Sequence, residues 1–374
     1  MNREIFFFIG TEAELIKVFP VILECKKQNL PYRLIASGQN DIIHSQILQT
    51  IDCGGVSLEL SQEKDITKSA VGLATWFIKT KKNAAKKIRE AFPQVDYKRS
   101  LMIVHGDTVS TMMGAMVGKK LGMTVGHVEA GLRSHNIFNP FPEELDRMFT
   151  SRRARLHFAP GKVPSDNLKN AKGKVVDTQY NTILDSLNYS YQVPLKSEIK
   201  NYINDDYFVF VMHRQENLMN DRFVKEVVNH ILQIAENKKC IIILHEITRV
   251  EFEKIGILEN LGENPHVVLQ PRVDYFDFMK LLYHAEFVIT DGGSNQEELH
   301  YMGKPCLIMR KTTERNEGIG QNAVMFGGDL NKITEFAEGY KNMQIEPTKV
   351  EISPSEIICD SIENFLENDS AVIR

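Results

Sequence analysis

Short apolar runs alternate along this chain with longer stretches in which apolar residues recur every three or four positions. In the first half the runs at 5–9, 33–37, 101–105, 124–128 and 156–159 predict strands, with helices at 14–27 and 108–121. A second series begins near Tyr207, with strands at 208–212, 241–244, 267–269, 287–290 and 306–309 and helices at 223–236 and 274–284. This alternation marks βαβ units and parallel sheets. Two such series predict an α/β chain of two Rossmann-like domains, 1–200 and 201–374, meeting in the polar stretch 197–206. The C-terminal helix is a candidate to cross back onto the first domain.

Composition agrees with that division. The 374 residues exceed what one core needs, since domains mostly run about 100–200 residues. With 43% hydrophobic and 25% charged residues the chain reads as an ordinary soluble protein. A chain this long buries enough surface to need no disulfide or metal staple. The net charge of −4, with basic residues spread throughout, argues against a nucleic-acid binder or a polybasic membrane anchor. Five cysteines lie far apart without a CxxC pair, which fits a reduced compartment and suggests no zinc site. No apolar run approaches the length of about 18 residues needed for a span, and the run at 5–10 is short for a signal peptide. A cytoplasmic protein is expected.

In open parallel sheets, ligands gather beyond the carboxyl ends of the strands. After the first strand, Gly10 permits a tight turn and Thr11 can cap a helix whose N-terminus would attract phosphate. An ordinary strand–helix turn accounts for the same residues. Lys17, one and a half turns on, faces either a cleft or solvent. Asp107 follows the third strand, placed to cap the next helix or to stand as a carboxylate at the mouth of the sheet. Glu129 directly follows the fourth, where a charge is costly unless paired or used, with Arg133 as one available partner. Glu143 and Arg147 share a helix face, as surface ion pairs also do. Three carboxylates, Asp107, Glu129 and Glu143, thus accumulate where one cleft should lie. Such neighbours push one another's pKa values apart, which suits acid and base roles.

In the second half, His213 and Arg214 follow a strand and together could neutralise a diphosphate. His245-Glu246 after the next strand is a weaker signal. The segment Thr290-Asp291-Gly292-Gly293-Ser294-Asn295-Gln296-Glu297-Glu298 is the strongest, because backbone N–H groups between a strand and a helix cradle phosphate oxygens. Glu298, within about the first turn, could accept ribose hydroxyls. Thr312, Thr313 and Arg315 add hydroxyls and positive charge. The acidic residues form no DxD or HExxH pattern, so neither a metal nor another cofactor is called for, and no GxSxG elbow is present.

Taken together, VHGDTVSTMMGAM, VGHVEAGLRS, PFPEELDR, HRQEN, TDGGSNQEE, GKP and TTER resemble, in order and spacing, the bacterial non-hydrolysing UDP-N-acetylglucosamine 2-epimerases. The resemblance covers most of the chain. It implies a GT-B-like fold with parallel sheets facing a central cleft, a UDP-sugar as substrate, no cofactor, a homodimer, and a place in capsule or other polysaccharide biosynthesis. It also implies that Asp107, Glu129 and Glu143 are the acid–base carboxylates and that Lys17, Arg147 and His213 are their charged partners. Gly292, Gly293, Ser294, Glu298, Arg315 and Thr11 then hold UDP. Many family members bind a second substrate molecule as activator, and Gln39, Gln46, Arg214 and His245 retain fragments of those stretches.

The departures from the family are local. Glu12 and Ala13 replace the Arg and Pro of GTRPE, and DGGSNQEE stands for DSGGIQEE. His245-Glu246-Ile247-Thr248 stands for HxNP, and Asn40-Asp41-Ile42 is unusual. The competing readings are a GT-B glycosyltransferase with a UDP-sugar donor, a hydrolysing 2-epimerase, and a non-catalytic nucleotide-sugar binder.

Overall fold

The computed structural model describes residues 2–63, 69–134, 143–196, 198–313 and 315–367. Residues 140–142 of the PFPEELDR stretch and Glu314 of TTER lie outside them. Contacts divide the chain into two compact units, 1–186 with 351–374, and 187–350. The sequence pattern had suggested one boundary, near residue 200.

The first unit is built on a parallel sheet of β1 (Ile5–Ile9), β2 (Tyr32–Ala36), β3 (Leu58–Glu59), β4 (Leu101–His105), β5 (Thr124–Val128), β6 (Leu156–Ala159) and β7 (Lys174–Asp177), in the order β3-β2-β1-β4-β5-β6-β7. Its helices are α1 (Glu12–Lys27), α2 (Gln46–Thr50), α3 (Ala70–Ala91), α4 (Val109–Leu121), α5 (Glu143–Arg153) and α6 (Lys162–Asn167), and α7 (Ile183–Ser190) contains the junction. All five residues of β1, Ile-Phe-Phe-Phe-Ile, are buried, as a central strand covered on both faces requires. The sheet order reverses between β1 and β4, so the loops after these two strands open the crevice that parallel sheets use for ligands. Gly10 sits at that point. A Cβ there would lie 1.9 Å from Ser110 Oγ, so only glycine lets α4 come this close to the end of β1.

The second unit contains β8 (Tyr207–Val211), β9 (Lys239–Leu244), β10 (Val267–Pro271), β11 (Val288–Thr290), β12 (Cys306–Ile308) and β13 (Ala323–Met325), in the order β10-β9-β8-β11-β12-β13. Its helices are α8 (Gln215–Leu218), α9 (Asp221–Ala235), α10 (Glu246–Lys254), α11 (Leu258–Glu263), α12 (Tyr275–His284), α13 (Gly293–Tyr301) and α14 (Asn331–Gly339). In α9, Val224, Val227, Val228, Ile231 and Ala235 are buried, the spacing that puts one apolar face on a sheet. The switch point here lies between β8 and β11.

The last helix, α15 (Pro354–Glu367), belongs to the first unit and packs on α1. Asp185 Oδ2 accepts the Ser355 N–H at 2.8 Å and its hydroxyl at 2.6 Å, and Cys359 Sγ lies 3.3 Å from Cys25 Sγ. All ten strands expected from the sequence are present within two residues of their expected ends, while β3, β7 and β13 are additional. Among the described residues, no helix is long and apolar enough to cross a membrane.

Candidate active site

Glu129 is the first residue after β5 and adopts φ 62°. A non-glycine residue in this left-handed region costs on the order of 1–3 kcal/mol and persists only where its surroundings hold it. They do so here. Lys17 of α1 forms an ion pair with its carboxylate, and both side chains are only 7% exposed. Asn181 Nδ2 donates to Glu129 Oε2 at 2.6 Å, and His105 Nε2 stands 3.3 Å from the same oxygen. Lys17 therefore points inward. Arg133, the partner suggested by sequence, instead binds Glu144.

Asp107 does not cap α4. Thr108 does, accepting the Thr111 N–H at 3.1 Å in a capping box. That frees the Asp107 carboxylate for Arg147 of α5, at 2.5 Å. Arg147 also lies 3.6 Å from Glu144, which takes Arg133 and the Ser134 N–H at 3.1 Å. Burial works against the Glu144 charge, but Arg133, the Ser134 amide and Arg147 hold its carboxyl below the usual range. Asp146, buried on α5, feels the charges of Asp107 and Glu143. Burial, reinforced by those two charges, pushes its carboxyl up to about 7. The fold thus brings Asp107, Glu143 and Arg147 together, with Glu129 and Lys17 at the neighbouring strand end.

Thr11 is used within the fold. Its hydroxyl accepts the Glu14 N–H at 3.2 Å, and Glu14 Oε2 accepts the amides of Gly10 at 2.5 Å and Thr11 at 3.1 Å. The Glu14 carboxyl is fully enclosed, also meeting the hydroxyls of Thr108 and Thr111, and burial pushes its pKa up. Glu12, one residue after the cap, accepts from Ser45 Oγ at 3.2 Å. Gln39 Oε1 accepts from Ser110 N at 3.2 Å and Oγ at 2.7 Å, while Gln46 is exposed at the start of α2.

In the second unit Asp291, directly after β11 and fully buried, organises the loop after β8. It accepts from the amides of His213 at 3.1 Å and Arg214 at 2.9 Å and from Asn217 Nδ2 at 3.0 Å, with His213 Nδ1 at 3.1 Å. Burial opposes its charge, but His213, the Arg214 amide and Asn217 hold its pKa below the ordinary value. The His213 ring stacks on His245 at 4.6 Å and 17°. Burial, followed by the charges of His213 and Arg272, lowers His245 to about 4, so His245 is neutral at pH 7. Arg214 bonds Glu216 at 2.8 Å.

Replacing Asp291 by asparagine should therefore free the His213–Asn217 loop and lower stability by about 1.5–3 kcal/mol at pH 7, the usual loss when buried hydrogen bonds to a charged group are removed. Because the folded pKa is depressed, this contribution is present above the unfolded value of 3.8 and fades only as pH falls through the folded one. Thermal melts of both proteins at pH 7 check it; equal Tm values would refute it.

α13 begins at Gly293 with Gly292 as N-cap, and no side chain caps it, which leaves the kind of N-terminus that receives anions. Glu298 lies in its second turn rather than its first, buried and holding Asn295 Nδ2 at 3.0 Å. Arg315 pairs with Glu297 of the same helix. Among the described residues no group of three or more His, Cys, Asp or Glu side chains is placed to hold a metal.

The sequence pattern did not single out Glu14, His105, Glu144, Asp146 or Asp291. Asp291 carried the signal used for Glu129, a carboxylate directly after a buried strand. Asp146 stands three residues from Glu143 and so on the same side of α5. Glu144 carried no comparable sign.

Two Rossmann-like domains with polar side chains gathered at the carboxyl ends of their parallel strands define an α/β protein of the GT-B-like class. Comparison with known proteins narrows this. A family model described as UDP-N-acetylglucosamine 2-epimerase matches residues 23–351. UDP-N-acetylglucosamine 2-epimerase of Bacillus subtilis (strain 168) is 31% identical over 335 residues, covering 88% of this chain and 84% of that one. The structure of the Methanocaldococcus jannaschii enzyme in complex with UDP-GlcNAc and UDP aligns with a TM-score of 0.75 at 26% identity, over 97% of this chain and 100% of that one. The Neisseria meningitidis enzyme bound to UDP-GlcNAc aligns with a TM-score of 0.78 at 27% identity, over 98% and 100%. The chain belongs to the UDP-N-acetylglucosamine 2-epimerase family and is an isomerase.

Proposed function

We propose that this protein inverts carbon 2 of UDP-N-acetylglucosamine, giving UDP-N-acetylmannosamine without hydrolysis. The observation that carries the reading is the set of carboxyl groups at the ends of β4 and β5 and on α5: Asp107, Glu129 and Glu143, with Arg147 on Asp107 and Lys17 on Glu129. A base removes the proton from carbon 2 while the bond from carbon 1 to the UDP oxygen breaks, leaving 2-acetamidoglucal and UDP. A proton then adds to the opposite face of carbon 2, and the UDP oxygen returns to carbon 1. Atoms and electrons balance without a redox partner. A weakly acidic carbon needs a base and an acid, each worth ~10²–10⁴-fold, and a departing diphosphate needs fixed positive charge.

In this reading Asp107, Glu129 and Glu143 move the protons, and Lys17, Arg147 and His213 balance charge. Gly292, Gly293, Ser294 and Arg315 hold the diphosphate, and Glu298 holds the ribose. The bound UDP-GlcNAc of the Neisseria relative supports the choice of substrate. The family resemblance supports a cytoplasmic homodimer that supplies activated amino sugar for capsule or related polysaccharide.

The test is incubation with UDP-N-acetylglucosamine in deuterated water, followed by proton NMR. Exchange at carbon 2 and a manno product still carrying UDP are expected. Release of free sugar would point to a hydrolysing enzyme, and no exchange at all would reject the reading.

A further inference from the structure

Three buried polar atoms on α5 have no hydrogen-bond partner among the described residues: Glu143 Oε2, Asp146 Oδ2 and Thr150 Oγ1. Spacings of three and four residues put them side by side on one face of the helix. Buried unsatisfied oxygens are rare in native folds, so such a row needs a cause. The local charges supply one. Four carboxyl groups, those of Asp107, Glu143, Glu144 and Asp146, share this region with two guanidinium groups. Arg133 is committed to Glu144, and Arg147 divides between Asp107 and Glu144. Among the described residues no cation is paired with Glu143 or Asp146. Two adjacent enclosed carboxylates without a counter-ion do not both stay ionised. Asp146 is the more enclosed, at 5% exposure, whereas Glu143 is half-buried.

We propose that Asp146 is a positioning residue of the acid–base group, holding a proton on the acid side of neutrality so that its carboxylic O–H is a donor to the neighbouring carboxylates of Asp107 and Glu143. The proposal rests on the epimerase reading for its kinetic consequence but not for its protonation. Burial together with the Asp107 and Glu143 charges raises the Asp146 carboxyl to about 7, in keeping with the geometry. While the proton is present, Asp146 orients its two neighbours. Once it leaves, a third negative charge appears beside them, the donor is lost, and the arrangement that moves the carbon-2 proton is disturbed. Asparagine has the same shape, keeps an N–H donor and cannot ionise.

The pH dependence of carbon-2 exchange is the direct test, measured on the full chain with UDP-N-acetylglucosamine from pH 5.5 to 9. With a group near pH 7, wild-type kcat/KM should drop roughly 30-fold between pH 6 and 8.5, the fraction still protonated setting the scale. Asp146→Asn should lose most of that decline, its kcat/KM at pH 8.5 staying within a few-fold of its own value at pH 6. A merely structural role for Asp146 would lower both limbs together.

Stability adds a second reading. The folded pKa lies above the unfolded value of 3.8, so native protein holds a proton that the unfolded chain has lost between 3.8 and about 7, and stability falls as pH rises through that window. The Tm of Asp146→Asn relative to wild type should therefore rise from pH 5 to pH 8. Infrared titration of the carboxylic-acid band, compared between unmodified protein and Asp146→Asn, needs no activity. A band that disappears near neutrality, and is missing in Asp146→Asn, is expected. Superimposable pH profiles, or no carboxylic acid titrating above pH 6 in the unmodified protein, would overturn the proposal. If wild type shows no exchange at any pH, the epimerase reading fails, while the infrared titration still decides the protonation of Asp146.

Discussion

Asp107→Asn is expected to cut carbon-2 exchange and epimerisation by about 10²–10⁴-fold, the usual worth of one general acid or base, while UDP affinity and Tm stay near wild type. The amide has the shape of the carboxyl but cannot accept the proton. The fold has little reason to object, because Thr108 rather than Asp107 caps α4. The Asp107 side chain is a quarter exposed, and Arg147 keeps Glu144 as a neighbour when Asp107 loses its charge. Exchange in deuterated water and calorimetric UDP titration measure the two sides. Thr108→Ala is the control with the opposite signature: loss of the cap lowers stability by about 1 kcal/mol and leaves the carboxylate in place. An Asp107→Asn protein that exchanges within tenfold of wild type would remove Asp107 from the chemistry.

The same loop shows what the sequence could and could not say. Asp107 and Thr108 are both good capping residues, so a sequence pattern alone favours either. The choice falls to Thr108 because its hydroxyl closes a box with Thr111, while α5 brings Arg147 to Asp107 from forty residues away. Strands such as β1 and β8 were legible because every residue in them is buried and apolar. β7, Lys-Val-Val-Asp, is a half-exposed edge strand, and β3 has two residues, so neither leaves a run long enough to read. Glu144 was illegible for a different reason. A fully buried glutamate inside Glu-Glu-Leu-Asp-Arg looks like any solvated helix face until the two arginines that enclose it are placed.

Glu129→Gln is expected to give the largest loss of stability, about 3–5 kcal/mol, because it leaves a buried charge without its partner. The Lys17 ammonium is as enclosed as the carboxylate it binds. The glutamine amide would still accept from Asn181 but offers Lys17 no charge, and the strained φ of residue 129 remains without the contacts that held it. Lys17→Met, of similar length and uncharged, removes the stranded ammonium. The double variant Lys17→Met/Glu129→Gln should therefore be more stable than Glu129→Gln alone, although it has lost more of the native groups. Since the chain has two units, the comparison needs denaturation followed by probes in the first unit, where one cooperative step is a fair description. Losses that add to within about 0.5 kcal/mol would mean the two groups do not interact. Catalysis separates the readings again: the double variant regains stability, but with no carboxylate at 129 its exchange at carbon 2 should stay as low as that of Glu129→Gln. Stability and activity part company here because the ion pair holds in place a carboxylate that the fold would be easier without.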